Sequence, residues 1–142
     1  MSVVSETLRA EVVARAGERC EYCHLPIRGQ VATFPVDHLR PRSSAGATAL
    51  ENLALACPHC NGSKWKHEDG VDPDSGESAR LFNPRKDVWS DCFQWSREEV
   101  GVIVGQTAIG RATIARLQMN APDMVALRQL LAALGLFAEV SG

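Results

Sequence analysis

Apolar positions along the chain change period several times, and each change predicts an element. In residues 6–16 (ETLRAEVVARA), Leu8, Val12 and Ala16 recur at i, i+4 and i+8, with Ser5 placed to cap a short amphipathic helix and Gly17 to stop it. Residues 20–30 (CEYCHLPIRGQ) carry turn formers at Pro26 and Gly29. The run 31–39 (VATFPVDHL) is β-rich, and Pro35 restricts it to an edge or bulged strand. A small, polar, Gly-containing loop follows (40–52), then a short buried strand, LALAC (53–57), and a helix with Pro58 in its first turn. Residues 68–79 (EDGVDPDSGESA) read as a solvated acidic loop without EF-hand spacing. Residues 81–96 and 100–107 predict irregular segments and strands closing a small sheet, with Leu81, Phe82, Trp89, Phe93 and Trp95 in the core. Two helices end the chain: 108–119, capped by Thr107, and 122–134, opened by Pro122 and stopped by Gly135. Ile109, Ile114, Leu117, Leu127, Leu130, Leu131 and Leu134 form their apolar faces. With no repeat and no low-complexity linker, one domain is expected over 1–142.

Composition narrows the class. At 142 residues, 45% hydrophobic and 23% charged, the chain reads as globular rather than disordered or collagenous. No apolar stretch approaches the ~20 residues of a bilayer span, and the first residues, MSVVSETLRAEV, lack a basic segment followed by an apolar one. The expected location is cytoplasmic, with no membrane contact. The net charge of -2 hides an asymmetry: residues 19–66 hold six Arg or Lys against three acids, and residues 67–142 hold seven against eleven. A polyanion would meet the first half.

Five cysteines then matter. Cys20-x-x-Cys23 and Cys57-x-x-Cys60 are two knuckles, each aiming two thiolates at one ion, and together they complete a tetrahedral four-sulfur shell for a structural Zn²⁺. Disulfides are the alternative, disfavoured in a reducing compartment. His24, His59 and His67 stand close enough in sequence to substitute, and unpaired Cys92 reads as a small buried hydrophobe.

Between the knuckles lie Val36-Asp37-His38-Leu39-Arg40-Pro41-Arg42-Ser43, Gly46, Glu51-Asn52-Leu53-Ala54-Leu55-Ala56-Cys57 and Cys60-Asn61-x-x-Lys64. This pattern resembles the HNH endonuclease family, in the subset whose ββα-metal core is stapled by two C-x-x-C knuckles. Asp72-Pro73-x-x-Gly76-Glu77, Leu81-Phe82-Asn83-Pro84-Arg85, Trp89 and Gly110-Arg111-Ala112-Thr113 look like the downstream segments of stand-alone bacterial HNH proteins. The resemblance implies an α+β fold: a zinc-stapled core over 18–67, flanking helices, and a small C-terminal extension over 80–142. Three positions depart from the pattern: Asn61 stands where the family name implies His, Trp65 where a small residue such as Gly is expected, and Cys92 where a His often precedes the Phe.

The implied chemistry is hydrolysis of DNA phosphodiesters, which needs a base for water, a cation for the charge developing on phosphate, and rigid placement of both. His38, near ~6.5 in its ordinary titration, suits the base. Asp37 and Asn61 offer hard oxygens to Mg²⁺ or Mn²⁺. Asn52 would brace the loop or fix the imidazole tautomer, and Arg40, Arg42 and Lys64 would contact phosphate. Two alternatives stand beside this reading: a non-catalytic zinc-containing nucleic-acid-binding module, and an RNA-directed nuclease.

Overall fold

A computed structural model describes residues 4–141. Helix α1 (Glu6–Arg15) starts where Ser5 Oγ accepts the Leu8 N–H at 3.1 Å, and Gly17, at φ +70°, lets the chain leave it through the left-handed region. Val12 is its buried anchor. Arg15, in the last turn, donates to the carbonyls of Leu50 (2.9 Å) and Leu53 (2.6 Å), fixing α1 to the start of the second strand.

Strands β1 (Val36–His38) and β2 (Leu53–Leu55) pair antiparallel with Asp37 opposite Ala54, and helix α2 (Pro58–Lys64) follows directly, making a ββα unit. β1 is shorter than the β-rich run 31–39 predicts. Pro35 has no N–H to give, so only its carbonyl joins the ladder, accepting from Ala56 at 3.1 Å, and residues 31–33 lie exposed beyond it.

The acidic segment is not a loop. It folds as a hairpin of β3 (Asp69–Val71) and β4 (Ser78–Arg80) with Gly70 opposite Ala79. Asp72 closes the turn: it accepts from the Asp74 N–H and the Ser75 hydroxyl, and Arg111 grips both its oxygens at 3.0 Å. Counting acids in 68–79 misses this because the neutralising guanidinium lies 39 residues away. The hairpin packs on α4 (Ala108–Leu117), which also touches α2.

Helix α3 (Trp89–Cys92) leads into β5 (Phe93–Trp95), which pairs with β6 (Ile103–Gly105) in the small sheet expected of these segments, and the described strands form three two-stranded ladders in all. α4 opens at Thr107, whose hydroxyl accepts from Gly110 as expected. In α5 (Pro122–Ala133) the buried residues are Met124, Arg128 and Leu131, while Leu130 and Leu134 lie open to solvent, contrary to the predicted apolar face. The inward position between Met124 and Leu131 belongs to Arg128, which rotates the leucines at 130 and 134 outward. A 3₁₀ turn at Ala138–Ser141 returns to the first knuckle, where the Glu139 carboxylate takes Arg19 and the His24 Nδ1.

One hydrophobic cluster runs from Val12 to Val140 and includes buried Leu81, Phe82 and Phe93; Trp89 and Trp95 are half-buried against it. Trp89 stacks on His24 at 4.2 Å between ring centres and donates its indole N–H to the Tyr22 carbonyl, joining the knuckle to the second half of the chain. No helix among the described residues is long and apolar enough to cross a membrane.

Candidate metal centre and active-site cleft

Each knuckle is closed by its own backbone: the Cys23 N–H points at Cys20 Sγ (3.5 Å), and the Cys60 N–H at Cys57 Sγ (3.4 Å), with Cys57 capping α2. The four sulfurs are buried and lie within 4.8 Å of one another, and among the described residues they are the one cluster of three or more metal-ligand side chains. None of the five cysteines is joined in a disulfide. Cys23 and Cys57 sulfurs stand 3.7 Å apart, far beyond the ~2.05 Å of a disulfide. The three nearby histidines are engaged elsewhere: His24 with Glu139, His59 with the Gln118 carbonyl (2.8 Å), and His67 edge-on to Trp65.

This donor set can hold zinc, and its surroundings fit a negatively charged metal–sulfur unit. Arg128 is wholly buried, and its Nη1 has no hydrogen-bond partner. Burial pushes the guanidinium's pKa down, opposed by the charges of Cys23, Cys60, Cys57 and Cys20. A buried cation in electrostatic reach of four thiolates offsets charge that would otherwise be costly inside a core.

The ββα unit places a second group beside the first. Asp37 and His38 at the end of β1, Asn61 on α2, Arg42 on the loop, and Trp65 and Lys66 just past α2 border one open cleft of about 310 Å³. Asp37 is held from two sides: the Tyr22 hydroxyl donates to it at 2.7 Å, and the Lys64 ammonium sits 3.1 Å from one carboxylate oxygen and 3.4 Å from the other. Burial raises the carboxyl's pKa, while the Lys64 charge and the Tyr22 bond pull it back toward the ionised form. Lys64 therefore departs from its expected role. It is 2% exposed, with its charge turned inward onto Asp37 and away from any phosphate on the surface.

His38 is half-buried at the rim, its Nε2 2.9 Å from the Thr48 hydroxyl. Burial first, and the neighbouring Arg42 charge second, lower its pKa. Asn52 does not reach the imidazole. Its amide clamps the loop instead, donating to the carbonyls of Arg40 (3.1 Å) and Ala47 (2.8 Å) and accepting the Arg40 N–H (2.9 Å). Gly46 makes that tight loop possible, because a Cβ there would lie 1.7 Å from the Arg40 carbonyl oxygen. Arg40 and Arg42 are exposed on the same loop. Cys92 is buried, as expected, away from the cleft.

Sequence reasoning missed Tyr22 and Thr48. Tyr22 carries a faint signal, an aromatic inside a metal knuckle with a hydroxyl to satisfy. Thr48 carries none, since its contact depends on the shape of the loop.

The HNH endonuclease family model matches residues 20–67, the segment that holds both knuckles, β1, β2 and α2. The motif between the cysteine pairs is thus the one the resemblance implies, and a match to this family over that segment points to a nuclease-type function and a nucleic-acid substrate. No curated protein matches the chain.

Proposed function

We propose that the chain is a metal-dependent endonuclease that hydrolyses phosphodiester bonds in DNA, with residues 18–67 as its core, 80–142 as an extension, and a structural zinc held by Cys20, Cys23, Cys57 and Cys60. The observation that carries this reading is the convergence of Asp37, His38 and Asn61 on one cleft beside exposed Arg42 and Lys66. A cytoplasmic location belongs to this reading, since a reducing compartment keeps cysteines available to a metal.

Each residue has a physical task. The lowered pKa of His38 keeps its imidazole neutral at pH 7, the state a general base requires. The Thr48 hydroxyl, 2.9 Å from Nε2, orients the ring, and the ring nitrogen that bears the lone pair in the neutral imidazole accepts a proton from the attacking water. Asp37 and Asn61 supply oxygen ligands, and Lys64 with Tyr22 keeps the Asp37 carboxylate ionised and fixed. A Mg²⁺ or Mn²⁺ ion at that position supplies positive charge against the phosphate transition state. Asn52 acts at one remove as a positioning residue, holding the loop that carries Arg40 and Arg42.

Purified protein incubated with supercoiled plasmid, single-stranded DNA and RNA tests this. Nicking that needs added Mg²⁺ or Mn²⁺ is the expected result. Cleavage of RNA alone, or none with any metal, would contradict it.

A further inference from the structure

We infer that Trp65 is a stacking platform for an unpaired nucleobase, which makes single-stranded or locally opened nucleic acid the preferred substrate of this cleft. The inference rests on the nuclease reading and deepens it.

Two unfavourable features coincide at this residue. The indole is 64% exposed, although burying a ring of that size is among the largest apolar gains a side chain offers. The backbone sits at φ +49°, ψ -121°, in the region that favours glycine, while its N–H still closes α2 on the Asn61 carbonyl at 2.9 Å. A glycine would make this exit from the helix without strain and expose no ring. Strained residues of this kind cluster at ligand sites, where binding rather than folding accounts for them.

The ring's surroundings point to the ligand. Trp65 borders the cleft shared by Asp37, His38 and Asn61, so a nucleotide stacked on it lies next to the bond to be cut. The Lys66 ammonium lies over the Trp65 ring, 4.5 Å from its centre, and His67 meets the ring edge-on at 5.9 Å, so a base that stacks on that face displaces the ammonium toward the adjoining phosphate. The other two tryptophans are built into the fold: Trp89 donates to the Tyr22 carbonyl and Trp95 packs against Phe137. The indole N–H of Trp65 makes no such bond among the described residues. An aromatic face beside a cation is the combination that binds single strands with little sequence preference, since every base has a π face. In a duplex those faces are already stacked.

The test measures tryptophan emission of the zinc-loaded full chain, without added Mg²⁺, as oligo-dT or a hairpin duplex of equal length is titrated in. Oligo-dT should quench the parent. Trp65→Gly should lose the quench and bind oligo-dT about 5- to 150-fold more weakly, the effect of one lost base stack. Its duplex affinity should stay unchanged and its Tm should not fall, since strain is relieved. Trp65→Phe should keep most of the affinity. Unchanged oligo-dT binding in Trp65→Gly would overturn the inference, and so would equal losses on duplex and single strand, which mark a groove wedge. Metal-dependent nicking alongside unchanged oligo-dT binding would leave the nuclease reading standing and this inference refuted. Quenching that depends on Trp65, in a protein that cleaves nothing, would do the reverse.

Discussion

Replacing Lys64 with Met separates two roles that the sequence alone does not distinguish. In the structure Lys64 and Asp37 are 2% and 5% exposed, and the ammonium lies within 3.4 Å of both carboxylate oxygens. Removing one member of a buried pair costs about 3–5 kcal/mol, because the other charge is left without its partner. Two features here favour the lower end: Asp37 keeps the Tyr22 hydroxyl at 2.7 Å, and burial already favours its protonated form. A loss near ~3 kcal/mol corresponds to a fall in Tm of roughly 6–12 °C for a chain of this size. Asp37→Asn combined with Lys64→Met should recover much of that, since no unpaired charge then remains. Urea denaturation of the zinc-loaded proteins measures the stability, and DNA affinity across a salt series measures the alternative. A phosphate-contacting lysine would take about 0.9 off the slope of log K against log salt; a buried one leaves it unchanged. Unaltered stability with a shallower salt slope would refute the inward placement of Lys64.

The remaining predictions address the metal centres and the hairpin. One zinc per chain should copurify, and Cys57→Ser should lose it and unfold or aggregate; metal analysis that finds a well-folded zinc-free chain, or thiol counting that finds two disulfides, would contradict this. Asn61→Ala should raise the Mg²⁺ concentration needed for activity and leave zinc content unchanged, and Asn61→His should extend metal use toward Ni²⁺ or Co²⁺; metal titrations of nicking rate decide both. Arg111, bonded to both Asp72 oxygens, holds that carboxyl at about 2 against an ordinary 3.8. Its contribution to stability is therefore complete above pH 3.8 and disappears as pH falls toward 2. The gap in Tm between the parent and Asp72→Asn should be present at pH 7 and close over that acid range; a gap independent of pH would show that the charge is irrelevant.

Local signals in the sequence were strong where one residue decides the geometry. Ser5 and Thr107 cap the helices that their positions predict, Pro58 opens α2, and two C-x-x-C turns with backbone N–H groups aimed at their first sulfur need no distant partner. Legibility failed where a partner arrives from far along the chain. Asp72 looks like one more surface acid until Arg111 is brought to it. Lys64 reads as a helix-surface charge until Asp37, 27 residues earlier, is placed beneath it. Asn52 was recognisable as a residue with a task, but whether it served the imidazole or the loop depended on the path taken around Gly46. The outward turn of Leu130 and Leu134 has the same origin, because periodicity does not foresee an arginine as the inward residue of α5.

The central claim is that His38 acts as the base in a cleft assembled by Asp37 and Asn61, and the single-turnover nicking rate of His38→Ala tests it most directly. The variant is compared with the parent on supercoiled plasmid at saturating protein and matched Mg²⁺, after zinc content, Tm and DNA affinity have been shown to agree. General-base removal predicts a rate lower by at least ~10², with binding unchanged, because the imidazole acts only in the transition state. A variant that nicks as fast as the parent would contradict the account.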